Sequence, residues 1–273
     1  MQSKSLNQKN NFKNAFGTYE WASYNANFIS GCKHDCKYCY SKEMAIRFGR
    51  KTSHNWRNEE IAKEKMSKIL SKKSGTIMYP SSHDIHPDHL NESLIFLKNI
   101  LSRGNNVLIV SKPHYECIKT ICTRFNRNKA NILFRFSIGS IDSDVLKFWE
   151  PGAPNFSERL KSLKYAYVHG FKTSVSCEPM LDDNIDAVIK KVSPYVTDAI
   201  WIGKANFLLR RLKTNKCSDK ETIKRAHKLM EWQSVENIIR LYEKYRKDKK
   251  IKWKESIKKI IGIEVSKQKG MDI

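Results

Sequence analysis

The chain has 273 residues, with 51 Lys and Arg against 28 Asp and Glu, a net charge of +23. That length allows one large domain or two small ones with an ample core. The opening stretch MQSKSLNQKNNFKNAFGTYE is polar, and no apolar run approaches the ~20 residues needed to span a bilayer. The expectation is a soluble cytoplasmic protein with no membrane partner, whose thiols stay reduced. Seven cysteines, an odd number, then point to metal binding or catalysis rather than disulfides. The excess of cations favours contact with phosphate, as in DNA or RNA, although a lysine-rich solvated surface has the same composition.

After a polar N-terminal segment, 1–23, short β-rich runs alternate with longer amphipathic stretches. Strands are predicted at 25–30 (NANFIS), 76–80 (TIMYP), 106–111 (NVLIVS), 131–137 (NILFRFS), 172–177 (KTSVSC) and 199–203 (AIWIG). Helical periodicity fills Glu59–Ser71, Leu90–Ser102, Tyr115–Phe125, Ser157–His169 and Ile185–Val192. Gly75, Gly104 and Gly170 stand just before strands, where helices stop. Six βα units in series predict an α/β fold: a parallel (β/α)6 sheet over 24–204, curved into an incomplete barrel. From 205 to 273 the pattern becomes a basic helical C-terminal extension; residues 204–273 carry 21 Lys and Arg against 9 Asp and Glu. Trp201, Trp232 and Trp253 are interleaved with that charge, which suits a helical cap with one packed and one solvated face.

In parallel βα architectures binding sites form at the carboxyl ends of the strands. The residues just past the predicted strands read GCKHDCKYCY, SSHD, SKPHY, SIGS, CEPM and GKAN. Nearly all the polar chemistry therefore falls on one rim.

The first of these stretches holds Cys32, Cys36 and Cys39, spaced C-x3-C-x2-C. A structural zinc site wants four ligands and a disulfide wants two. Three soft thiolates can instead hold three irons of a cubic iron–sulfur cluster and leave the fourth open. The alternative is a zinc knuckle completed by His34, His83, His86 or His89. The spacing, with Tyr38 before the last cysteine, resembles the signature of the radical S-adenosylmethionine (radical SAM) enzymes. The segments GCKHDCKYCY, VSKP and SIGSIDSDVLKFWEPGAPNFSERLKSLKYAYVHGFKTSVSCEPML are similar to the branch containing spore photoproduct lyase, over roughly residues 24–204. The tail beyond 205 contributes nothing to this resemblance.

The resemblance implies a radical-SAM-type barrel with a [4Fe–4S] cluster on Cys32, Cys36 and Cys39, and S-adenosylmethionine chelating the open iron. It also implies one-electron cleavage of a C–S bond, a 5′-deoxyadenosyl radical and an external reductant of flavodoxin or ferredoxin type. Tyr38 would line the adenine side. Ser81 and Ser82 would meet the methionyl amino group, Lys112 its carboxylate, and Ser137 the carboxylate or ribose. Each of these residues has an alternative as a strand-end cap or turn residue.

One departure stands out. Where spore photoproduct lyase carries a hydrogen-donating cysteine after the second strand, this chain reads PSSHD, and a serine O–H is too strong to replace a thiol. Cys177, at the end of the fifth strand, is the candidate substitute, with a buried core cysteine as the alternative. In HDIHPDHL, residues 83–90, Pro87 and Asp88 are expected to open a helix while His83 and Asp84 line the cavity. The alternative is a second metal site on His83, Asp84, His86, Asp88 and His89. Cys117 and Cys122 share a helical pattern and lack further partners. The favoured reading is a radical SAM enzyme acting on nucleic acid. The rivals are radical SAM modification of a peptide or small metabolite, and a noncatalytic metal-binding protein that docks on nucleic acid.

Overall fold

In the computed structural model, which describes residues 17–272, seven strands hydrogen-bond side by side and all run parallel. The chain order is β1 (Tyr24–Asn25), β2 (Ile29–Ser30), α1 (Tyr40–Arg47), β3 (Glu60–Ile61), α2 (Lys63–Ser67), β4 (Thr76–Met78) and α3 (Leu90–Leu101). It continues with β5 (Asn106–Ser111), α4 (Tyr115–Arg124), β6 (Ile132–Ser137), α5 (Ser143–Trp149), α6 (Phe156–Val168), β7 (Lys172–Cys177) and α7 (Ile185–Val192). The last elements are β8 (Ile200–Ile202), α8 (Leu208–Thr214), α9 (Lys220–Trp232), α10 (Val235–Tyr245), β9 (Ile251–Trp253) and α11 (Glu255–Ile261). The large sheet is ordered β1-β4-β5-β6-β7-β8-β9. The α/β class and parallel sheet expected from the sequence are both present.

Three elements differ from expectation. The first predicted strand is two: β1 pairs parallel with β4, whereas β2 leaves the sheet and pairs antiparallel with β3. Asn27 lies at the break. Its carboxamide oxygen accepts the N–H groups of Ser81 (2.8 Å) and Ser82 (3.1 Å). The helix expected over 59–71 shrinks to α2, because Glu60 and Ile61 are taken into β3. The basic stretch from 205 is mostly helical but also adds β9, a seventh strand parallel to β8. Of the polar segment 1–23, residues 1–16 lie outside the described residues.

Strand alternation divides the side chains between two environments. Ile77, Val107, Ile109, Phe134, Phe136, Val175, Ile200 and Ile202 belong to the main core, which includes Leu97, Ile118, Leu163 and Val188 of the flanking helices. Met78 and Leu108 join a separate small cluster with Val110, Leu133 and Trp21. The sheet is strongly curved toward that second side. Trp21, three residues before β1, meets the ring of Trp201 on β8 at 5.7 Å. β1 and β8 are five steps apart in the sheet, about 24 Å at ordinary strand spacing were it flat.

Buried charge ties the two ends of the curve together. Lys254, directly after β9, is 1% exposed and lies 2.6 Å from Glu20 and 3.4 Å from Glu178. It also donates to the Gly17 carbonyl at 3.1 Å. Burial pushes the Glu20 carboxyl up to about 7 against the pull of Lys254. Among the described residues no helix is long and apolar enough to cross a membrane.

Lys254→Met should cost roughly 3–5 kcal/mol in urea unfolding, because it strands the buried Glu20 carboxylate beside the partly exposed Glu178. The loss should be smaller at pH 5 than at pH 8, since a protonated Glu20 needs no cation. A loss below about 1 kcal/mol at both pH values, within the range of an exposed pair, would show that this ion pair does not join the two edges.

Candidate active site

The cysteine loop has little regular structure of its own and is held from outside. Gly31 starts it at φ +101°, where a Cβ would meet the Trp56 carbonyl oxygen at 2.7 Å and that of Asn58 at 2.8 Å. Only glycine fits such a backbone approach. Cys32 N–H donates to the Trp56 carbonyl at 3.0 Å. At the far end Cys39 caps α1, its Sγ accepting from Lys42 N–H at 3.4 Å. Between them the connection from α5 to α6 presses on the loop: Lys37 N–H donates to Trp149 O (2.9 Å), and Gly152 N–H to His34 O (3.0 Å). A Cβ on Gly152 would lie 2.2 Å from the Lys33 carbonyl oxygen. The EPGAP segment is thus the brace of the cysteine loop.

All three thiols are free and face one cavity of about 440 Å³ at the carboxyl ends of the sheet strands. Burial pushes each of them up, so without a cation to replace the proton they are neutral. Three soft donors sharing one wall, free of disulfides, fit a three-cysteine cluster. Among the described residues no three His, Cys, Asp or Glu side chains form a group that could hold a metal ion. A cubic cluster makes a different demand, since each thiolate binds its own iron at its own corner. The histidines considered for zinc have other partners: Asp84 and His114 for His34, the Asp84 carbonyl for His83, Asp88 for His86, Glu59 for His89.

Tyr38, Ser81, Ser82, Lys112 and Ser137 line the same cavity, as do His83 and Asp84. Pro87–His89 form a single turn leading into α3, as expected. Cys177 does not reach the cavity. Ser176 faces it, so alternation sends the next side chain toward the helices, where Cys177 is 0% exposed among core residues. Burial raises its thiol as well. The proposed substitute donor is a core cysteine, as are Cys117 and Cys122.

Two buried carboxylates organise the wall. Asp84 accepts the Lys112 backbone N–H (2.8 Å) and the Ser111 hydroxyl, and lies 3.2 Å from His34 Nδ1. Burial opposes its charge, but His34, Lys112 and Ser111 outweigh this and hold the carboxyl below the usual range. Glu150 takes the Tyr38 hydroxyl, pairs with the fully buried Arg159 at 2.5 Å, and lies 3.9 Å from the Lys112 ammonium. Arg159 also donates to the Ser137 carbonyl at 3.0 Å. Lys112 thus stands among Cys36, Glu150 and Asp84. Burial disfavours its ammonium, yet these three raise its pKa overall. The sequence reading passed over Glu150 and Arg159. Their signal is a Glu and an Arg on either side of Pro151-Gly152, within the segment that carries the resemblance.

Gly152→Ala should cost about 1–3 kcal/mol in urea unfolding, by forcing the brace off the loop. Unchanged stability would mean the contact is slack. His83 gives a pH test. Burial lowers it to about 4 from an ordinary 6.5, so the unfolded chain takes up that proton more readily. Stability from this group is present above pH 6.5 and lost as pH falls toward 4, by up to about 3 kcal/mol at ~1.4 kcal/mol per pH unit. His83→Asn should flatten that part of the stability–pH curve; an unchanged slope would assign the acid sensitivity elsewhere.

No family model matches the chain. An uncharacterized protein of Acidianus two-tailed virus is 24% identical over 170 residues, 58% of this chain and 56% of that protein. The chain thus spans little more than half the length of this curated relative. Among solved structures, a spore photoproduct lyase variant with bound AdoMet and dinucleoside spore photoproduct aligns with a TM-score of 0.52 at 16% identity, over 78% of this chain and 66% of that one. Spore photoproduct lyase complexed with dinucleoside spore photoproduct gives the same score, identity and coverage. Identity this low makes the likeness one of fold. The chain has the fold of spore photoproduct lyase, a radical SAM enzyme.

Proposed function

We propose that this protein is a radical SAM enzyme that binds a [4Fe–4S] cluster through Cys32, Cys36 and Cys39 and takes S-adenosylmethionine in the adjoining cavity. The observation that carries this reading is the meeting of those cysteines with Tyr38, Ser81, Ser82, Lys112 and Ser137 around one cavity. Bound there, such a cluster supplies one electron that cleaves a C–S bond of S-adenosylmethionine to give a 5′-deoxyadenosyl radical. The Lys112 ammonium, charged and mostly shielded from water, is placed to pair with the methionyl carboxylate. Glu150 and Asp84 keep it charged and limit where it can swing. Ser81 and Ser82, their N–H groups held by Asn27, follow the strand next to that of Lys112 and line the same cavity, and Tyr38 is locked by Glu150 so that its ring edges the cavity. Trp21 and Met78 make part of the lining apolar, which excludes water from a radical.

For substrate we favour nucleic acid, processed in the cytoplasm with an external flavodoxin- or ferredoxin-type reductant. The support is the net charge of +23 and the dinucleoside lesion bound by the structural neighbour. The division into a partial barrel over 24–204 and an extension over 205–273 remains our proposal, with β9 as the extension's share of the sheet. The reaction should differ from lesion reversal by the neighbour. Among the described residues, Cys32, Cys36 and Cys39 are the only cysteines on the cavity wall, and as cluster ligands they cannot also donate hydrogen.

Anaerobic reconstitution should load about four iron and four sulfide per chain, and addition of a reductant should yield 5′-deoxyadenosine. Stoichiometric zinc, or a loaded protein that leaves S-adenosylmethionine intact, would overturn the reading. Lys112→Ala should keep the cluster absorbance while weakening S-adenosylmethionine binding roughly ten- to hundredfold, the loss of a charge-assisted contact. Equal affinity by equilibrium dialysis would remove Lys112 from the site. Spore photoproduct should be repaired poorly, and Cys177→Ala should make no difference; clean conversion to thymines would contradict the argument from the missing thiol.

A further inference from the structure

The loop from β8 to α8 holds a side chain that neither folding nor packing explains. Lys204, Asn206, Leu208 and Arg211 line the cavity. Phe207, between Asn206 and Leu208, is not itself part of the lining and projects from the loop at its edge. Phe207 adopts φ 53°, ψ 33°, a left-handed conformation that a bulky residue takes at a cost. Burial does not repay that cost, because Phe207 is 64% exposed. Glycine or asparagine would serve the turn better. An outlier of this kind at the edge of a cavity is a reason to ask what it touches in action.

Its surroundings suggest the answer. The Arg210 guanidinium lies 4.2 Å from the ring centroid and is itself anchored to Glu43 at 2.9 Å. One face of the ring is therefore backed by a planar cation, while most of the side chain is open to solvent. Glu43 also faces Arg47 (3.9 Å) and Arg211 (3.7 Å), so one carboxylate is shared by three arginines. Among the described residues no carboxylate pairs with Lys204, and Glu178 on the same wall is paired with Lys254. The rim thus joins an exposed aromatic face to surplus positive charge, the combination by which proteins stack bases and hold the phosphates between them.

We propose that Phe207, backed by Arg210, is a stacking platform for a base of single-stranded or extruded nucleic acid entering the cavity, with Lys204 and Arg211 facing its phosphates. The assignment rests on the reading of this cavity as a nucleic-acid-processing site. Phe207, Arg210 and Arg211 belong to the basic extension, outside the stretch whose sequence resembles the radical SAM enzymes, and Lys204 is the last residue of that stretch.

The test is fluorescence anisotropy with a labelled oligothymidylate of about 12 nucleotides, on the full chain, without S-adenosylmethionine or reductant. Phe207→Gly should lose roughly tenfold in affinity while its thermal midpoint is equal or higher, since glycine relieves the backbone. Phe207→Trp should bind within about threefold of the wild type, because the indole also stacks. Lys204→Ala should leave a shallower dependence of binding on salt. Equal binding by Phe207→Gly would overturn the platform, as would an equal loss of affinity for a labelled polyglutamate, which has charge but no bases. Because the readout needs no cluster, failure of the platform and failure of the radical chemistry appear in separate assays.

Discussion

The structure of the site depends on burying two carboxylates beside three thiols without leaving either unpaired. Asp84 and Glu150 lie in the wall behind the cysteine loop, where an isolated charge would be costly. Each is stabilised by groups from distant parts of the chain: His34 and Lys112 for Asp84, Tyr38, Arg159 and Lys112 for Glu150. The cysteine loop has almost no secondary structure to define it, so these contacts are what give it a shape. Lys112 is shared by both carboxylates and sits beside Cys36, which makes one ammonium the electrostatic link between thiols and cavity. A neutral residue there would leave two buried charges with less compensation.

The fold serves that arrangement in a way the strand pattern foretold. Period-2 alternation over 106–111 and 131–137 separates Val107, Ile109, Phe134 and Phe136, which face helices, from Leu108, Val110 and Leu133, which do not. That pattern, with glycines before the strands, was enough to place the cysteines, Ser81, Ser82, Lys112 and Ser137 on one rim. Cys177 was misplaced for the reason that makes strands hard to use residue by residue: neighbours point to opposite faces, and a shift of one position exchanges core for cavity. The break at Asn27 and the three-residue strand Ile251–Trp253 were illegible because each is specified by a partner far along the chain, Ser81 in one case and Ile200–Ile202 in the other. Glu150 and Arg159 were missed likewise: Glu150 acts on Tyr38 across 112 positions.

The basic extension has a double role in this account. Through β9 and Lys254 it completes the sheet and binds the segment Gly17–Trp21 that borders the cavity. Through α8 it brings Arg210 and Arg211 to Glu43 on the first helix after the cysteines. A region outside the sequence resemblance to known enzymes is thereby built into both the sheet and the cavity rim. That is where a relative with the same chemistry and a different substrate is expected to differ.

The central claim, that three thiolates present an open iron to S-adenosylmethionine beside Lys112, is tested most directly by electron paramagnetic resonance of the reconstituted, reduced protein with and without S-adenosylmethionine. The account predicts a reduced [4Fe–4S] signal whose g values shift when S-adenosylmethionine is added, because the ligand binds the iron that no cysteine holds. A cluster signal that is identical in the two samples, or no cluster signal at all, would contradict it.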